Sequence, residues 1–248
     1  MTNHHSGKVT LITGANKGIG LETARQLARY HGHTVLLGAR DEVRGEEAAA
    51  ALRGEGLDVH FLAIDPTDEA SVNAAAKEVA ARFGRLDVLV NNAGWGDRAE
   101  YSLPAPQVSV SSFEETYAIN VFGVVRVTQK FWDLLEKSPA ARLVNVSSAL
   151  GSLALHADFE NGPFSEVKPV AYNSSKAAVN MLTVHYAALW EYTPHRANAI
   201  HPGSVKTDLN PTGDLTVEEG AKSSVGLATL GSDGPNGTFS HLGKPLPW

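Results

Sequence analysis

The sequence contains no cysteine. Disulfides, thiolate metal centres and cysteine nucleophiles are thereby excluded, and the redox compartment is left open. It also lacks any apolar run of the length that crosses a bilayer, about 20 residues, so no membrane partner is expected. Residues 1–7 are polar and have no apolar core of the kind a secretion signal carries. They are expected to form a frayed, disordered end, with His4 and His5 at the surface, and no metal is expected in the protein. An excess of positive charge is missing as well. Lys and Arg number 21 against 27 Asp and Glu, a net charge of −6, which disfavours nucleic acid as a partner. The expected location is the cytosol. No linker, repeat or low-complexity segment divides the chain.

What is present is a regular alternation. The 248 residues are 43% hydrophobic and 19% charged, ordinary for one globular domain spanning 1–248. Short apolar runs at 8–13, 34–38, 59–64, 86–91, 142–147 and 196–201 read as buried strands, with a short last strand at 238–240. Amphipathic stretches at 18–30, 42–53, 69–83, 113–136, 172–192 and 217–230 read as helices between them. Continuously apolar strands separated by helices indicate an α/β fold: a Rossmann-like, doubly wound parallel sheet covered on both faces. Two stretches are less regular, 95–112 and 149–170. Loops at the carboxyl ends of parallel strands are where such folds bind ligands.

The first strand runs into Thr13-Gly14-Ala15-Asn16-Lys17-Gly18-Ile19-Gly20. Glycines there permit a tight turn and close approach of backbone to a pyrophosphate, and the N–H groups at the start of a helix face that anion. The second strand ends in Gly38-Ala39-Arg40. An acidic residue about 20 positions after the glycines would bind the ribose 2′-hydroxyl of NAD, but Arg40 stands at that place. Its guanidinium suits a 2′-phosphate, and Lys17 adds a second cation. The two favour NADPH/NADP+, with NADH, through the neighbouring Asp41, the weaker alternative.

Tyr172 and Lys176 are four apart and share a helix face. A cation near a phenol favours the phenolate and brings its acid strength toward working pH, as a general acid for a ketone oxygen requires. The strand 142–147 ends in Ser147 and Ser148. A serine at that edge can donate a hydrogen bond to a carbonyl oxygen, while Ser147 reads as a turn or cap residue.

These motifs in this order resemble the short-chain dehydrogenase/reductase family over almost the whole chain: the glycine loop at 13–20, Asn91-Asn92-Ala93-Gly94, a helix asparagine in Ala118-Ile119-Asn120-Val121, Tyr172-x-x-x-Lys176 and the Pro202-Gly203 turn. The resemblance is to the carbonyl-reductase branch, and it implies roles. Tyr172 would protonate the substrate oxygen, Ser148 polarise the carbonyl, Lys176 bind the nicotinamide ribose and lower the Tyr172 pKa, and Asn120 hold a water in a relay to Lys176. Gly14, Asn16, Lys17, Gly18, Ile19, Gly20, Arg40, Asn91, Ala93, Gly94, Tyr172 and Lys176 would line the cofactor. Asp65 would take the adenine amino group, and Val205 and Thr207, after Pro202 and Gly203, would meet the carboxamide and pyrophosphate.

The separation of Ser148 from Tyr172 is about twice the family's usual one. The surplus, 150–170, is expected to be a substrate-side insertion with Asp158, Glu160 and Glu166 toward water. It lies near a helix face that many members use to dimerise, so monomer and homo-oligomer both stay open. Trp95, Leu153, Phe159, Phe164 and Trp248 are candidates for a pocket wall that takes a small apolar or aromatic carbonyl compound, though each could equally pack against the core. The expected function is NADPH-dependent reduction of a ketone or aldehyde to an alcohol. The alternatives are a dehydrogenase working in the alcohol-oxidising direction and a non-catalytic NADP(H)-sensing regulator. Sugar-nucleotide and enoyl-reductase relatives fit less well, the first for chain length and loop spacing, the second for the tyrosine–lysine spacing.

Overall fold

The five residues of β1 (Val9–Thr13) are all buried, because successive side chains of a strand point to opposite faces and both faces are covered. Leu11 packs on one side with Val72 and Val79 of α3 (Glu69–Phe83), Phe131 of α5 (Val124–Glu136) and Trp190. Its neighbour Ile12 packs on the other, with Leu27 of α1 (Gly18–His31), Leu52 of α2 (Glu42–Gly54) and Val225 of α8 (Val217–Ala228). The sheet continues through β2 (Thr34–Ala39), β3 (Val59–Ala63), β4 (Val88–Asn91), β5 (Arg142–Val146), β6 (Arg196–Ile200), β7 (Phe239–His241) and β8 (Lys244–Pro245). Their order is β3-β2-β1-β4-β5-β6-β7-β8. All neighbours are parallel except β7 and β8. The computed structural model describes residues 7–160, 162–164 and 169–248, so the expectations for residues 1–6, with His4 and His5, and for Glu166 lie outside the described residues.

The chain winds outward from β1 through β2 to β3, then returns to place β4 on the other side of β1. The carboxyl ends of β1 and β4 therefore diverge into a crevice, the place where open α/β sheets bind ligands.

Most elements lie where the sequence puts them, and the differences have local causes. The helix expected over 113–136 starts earlier, as α4 (Val110–Tyr117), because Ser109 accepts from the Ser112 backbone N–H and caps it. That helix then runs through a π-turn at Ala118–Gly123 into α5. The helix expected from Tyr172 starts at Val170 and ends at Leu189, as α7. The irregular stretch after β5 holds α6 (Leu153–His156), and β8 was not anticipated. Among the described residues no helix is long and apolar enough to cross a membrane, and no group of His, Cys, Asp and Glu could hold a metal ion.

Candidate active site

The ends of β1 and β4 are tied by polar atoms. The Thr13 hydroxyl accepts from the backbone N–H groups of Asn92 and Ala93, both at 3.1 Å. The Asn92 side-chain amide donates back to the Thr13 and Gly14 carbonyls, at 2.9 and 3.1 Å. Gly14 has φ +63°, and a Cβ there would lie 2.9 Å from the Ala93 Cα. A Cβ on Gly20 would lie 2.5 Å from the Asn92 amide nitrogen. Two of the loop glycines are thus demanded by the protein's own packing at the start of α1. Asn91 turns its side chain inward instead, donating to Thr128 and Asn145 at 3.0 and 2.9 Å. Any contact it makes with a cofactor falls to its backbone.

The expected cations behave differently from one another. Lys17 is paired with Asp208 at 2.6 Å, both exposed, which joins the glycine loop to the segment after Pro202-Gly203. The ammonium holds the Asp208 carboxyl below its ordinary value. Arg40 is exposed and has no ion pair or hydrogen bond among the described residues. Asp41 is committed elsewhere: it accepts from the Arg44 backbone N–H at 3.0 Å and caps α2. Asp65 accepts from the Thr67 backbone N–H and hydroxyl, at 2.9 and 2.7 Å, and the cap of α3 is Asp68.

At the other side of the crevice, β5 delivers Ser148 and α7 delivers Tyr172 and Lys176. Ser148 accepts from the Leu150 N–H at 3.2 Å. Ser147 donates to Asn180 at 2.6 Å and is buried. The fully buried Asn120, on the π-turn, accepts from Trp95 N–H at 2.8 Å and donates to the Trp95 carbonyl at 2.8 Å and Ser175 at 3.0 Å. Its oxygen and the Lys176 Nζ both stand next to Gly94, where a Cβ would lie 3.5 and 3.6 Å from them.

Burial, not Lys176, dominates at Tyr172 and pushes its phenol well above the ordinary range; Tyr101 adds to this, and a hydrogen bond with Ser148 opposes it. Lys176 donates to the Val146 carbonyl at 2.9 Å, with Nζ 5.5 Å from the Tyr172 ring centroid. Burial pulls the ammonium down to about 8. Between that value and lysine's ordinary 10.5 the unfolded chain binds more protons, so stability rises with pH across the window; below it the cost of burying the ammonium is felt in full. Wild type should therefore gain on Lys176→Met by up to roughly 3 kcal/mol across the window. Urea midpoints measured for both proteins over that range check this, and parallel curves would contradict it.

Ser148, Tyr172 and Lys176 open onto a cleft of about 370 Å³. Of the expected cofactor residues, Ile19, Gly94, Pro202, Gly203, Val205 and Thr207 line it as well. Gly14, Asn16, Lys17, Gly18, Gly20, Arg40, Asp65, Asn91 and Ala93 do not; they lie along the ends of β1 to β4. Of the five expected wall residues only Phe164 lines the cleft, its ring tilted against that of His156 with centroids 5.4 Å apart. Leu153 and Phe159 are 73% and 85% exposed. Trp248 stacks on Phe239 at 5.5 Å, and Trp95 is held by its backbone against Asn120. Among the described residues of the insertion, Leu150 and Phe164 line the cleft. The wall residues missed in the sequence include Gly96, Arg98, Tyr101, Leu209 and Asn210. Gly96, Arg98 and Tyr101 fall in the irregular stretch 95–112, which the sequence marks only as a whole, and no pattern marks Leu209 and Asn210 beyond their nearness in the chain to Gly203.

A glycine loop at the switch point of a doubly wound sheet, facing a phenol, a lysine and a serine across a cleft, is the architecture of a nucleotide-dependent oxidoreductase. The family model for short chain dehydrogenase matches residues 8–216, and the chain belongs to that family. It is 34% identical to a (+)-neomenthol dehydrogenase of Capsicum annuum, covering 95% of this chain and 96% of that one. It is 32% identical to the salutaridine reductase of Papaver bracteatum, covering 94% and 93%. The NADPH-bound carbonyl reductase from chicken fatty liver superposes with a TM-score of 0.83 at 28% identity, over 97% of this chain and 99% of that one. The protein is an oxidoreductase acting on the CH–OH/C=O pair.

Proposed function

We propose that the protein reduces ketones or aldehydes to alcohols with NADPH, Tyr172 being the proton donor. The observation that carries this reading is the convergence of Tyr172, Ser148 and Lys176 on one cleft. The residues fit a dinucleotide phosphate. A side chain at Gly94 would stand between the cleft and the polar atoms of Asn120 and Lys176, and Arg40, beside a committed Asp41, has no partner among the described residues. The related carbonyl reductase is also described as NADPH-bound.

When bound, the reduced nicotinamide supplies a hydride to the carbonyl carbon. Ser148 orients and polarises the carbonyl oxygen by donating a hydrogen bond to it. Tyr172 gives that oxygen its phenolic proton, so that an O–H bond forms as the C=O π bond breaks. The phenolate left behind is stabilised by Ser148 and by the Lys176 cation, and a proton then returns from solvent along the polar atoms of Asn120 and Lys176.

NADPH consumption with a panel of aryl and alkyl ketones and aldehydes tests the reading, and no turnover with any of them would overturn it. Within that panel, Phe164→Ala should change the ratio of KM values for small and bulky aryl ketones by roughly tenfold, with KM for NADPH unchanged. Phe159→Ala, at a solvent-exposed position, should leave the ratio where it is.

A further inference from the structure

Three carboxylates are buried among the described residues: Glu22, Asp87 and Glu100. Glu22 is paired with Arg25 and Asp87 with Arg85. Glu100 has no exposed surface and no ion pair among the described residues. One of its oxygens accepts from the Ala171 backbone N–H at 2.7 Å, and the other lies 3.4 Å from the Ser112 hydroxyl, whose single proton is shared with Asp97 at 3.3 Å.

The partners explain why so costly a group is kept. Helices α2, α3, α4 and α8 are capped from their own chain by Asp41, Asp68, Ser109 and Thr216. Helix α7 begins after Pro169, which offers no side-chain cap. An amide in its first turn is satisfied by Glu100, from the 3₁₀ turn Arg98–Ser102. That amide belongs to the residue before Tyr172. Ser112 lies in the first turn of α4, the helix that leads to Asn120. Glu100 is therefore shared between the starts of the two helices that bring Asn120 and Tyr172 together. A carboxylate buried without a cation is expensive, and a negative charge at a helix start is favourable; here the second effect is applied next to the reacting phenol. Burial, and after it the charge of Glu100, hold the neighbouring Tyr101 phenol above its ordinary value.

We propose that Glu100 is a positioning residue for the reaction: by capping the first turn of α7 it fixes the Tyr172 phenol at the cleft. The proposal rests on Tyr172 being the proton donor. Shortening the side chain by one methylene, in Glu100→Asp, should part it from one of its two partners. We expect a folded protein whose affinity for NADPH is within about twofold of wild type but whose kcat falls about tenfold or more, since small displacements at a reacting group are costly. Hydrogen exchange at Ala171 and Tyr172 should rise in the same variant without any ligand. Glu100→Gln keeps the length and an acceptor oxygen, so it should recover most of the kcat. Asp87→Asn, a buried carboxylate lost at the far end of β4, serves as the reference: it should lower Tm without lowering kcat. A wild-type kcat in Glu100→Asp, equal losses in Asp and Gln, or kcat tracking Tm across all three variants would overturn the proposal. Absence of ketone turnover in wild type would instead remove the reading beneath it.

Discussion

Replacing Tyr172 by phenylalanine should reduce ketone turnover by about 10²–10⁴-fold, the usual worth of a general acid, while NADPH still binds. The substitution removes one oxygen and leaves the ring. That ring is fitted closely: a Cβ on Gly96 would lie 2.9 Å from its Cδ2, and the Lys176 ammonium stands over it. Packing and helix geometry should therefore survive, and the loss should fall on kcat. Single-turnover measurements with NADPH, together with the NADPH affinity of the variant, separate the two effects. Turnover near wild type would show that another group delivers the proton.

Arg40→Ala should weaken NADPH binding about 10- to 100-fold and leave NADH binding nearly unchanged. A hydrogen bond to a charged partner is worth about 1.5–3 kcal/mol, and Arg40 has no competing partner among the described residues to release. Asp41 does not compensate, because its carboxylate is bound to the start of α2. Titrating both cofactors into both proteins checks this. Equal affinity of the native protein for NADH and NADPH would contradict the reading of the second strand's end.

Legibility from the sequence followed how local the determinants are. Helix α3 lies at Glu69–Phe83, as expected, because Asp68 caps its start and Gly84, at φ 72°, ends it. The strands were readable because Val, Leu and Ile run through them on both faces. The π-turn at Ala118–Gly123 was not, since its apolar pattern continues that of the helices on either side. The two-residue β8 was too short to carry a pattern. At the site, the motif residues could be named in advance, but the cleft wall could not. Aromatic content was the guide to the wall, and it pointed to Phe159, which faces water, while Tyr101 and Arg98 entered from a 3₁₀ turn with no signal of its own. The balance at Tyr172 was also hidden. Sequence spacing places Lys176 beside the phenol but says nothing of how deeply the pair is buried, and burial decides the sign of the shift.

The pairing of β8 with β7 has a consequence for how the molecule behaves in a crowded solution. An open sheet ends in unsatisfied N–H and C=O groups that can recruit a strand from another chain and start aggregation. Here the outermost strand on that side is only Lys244–Pro245. Proline has no N–H to offer, and lysine would have to bring its charge into any new ladder. The β6 side of the sheet thus terminates in two residues unsuited to templating an intermolecular strand.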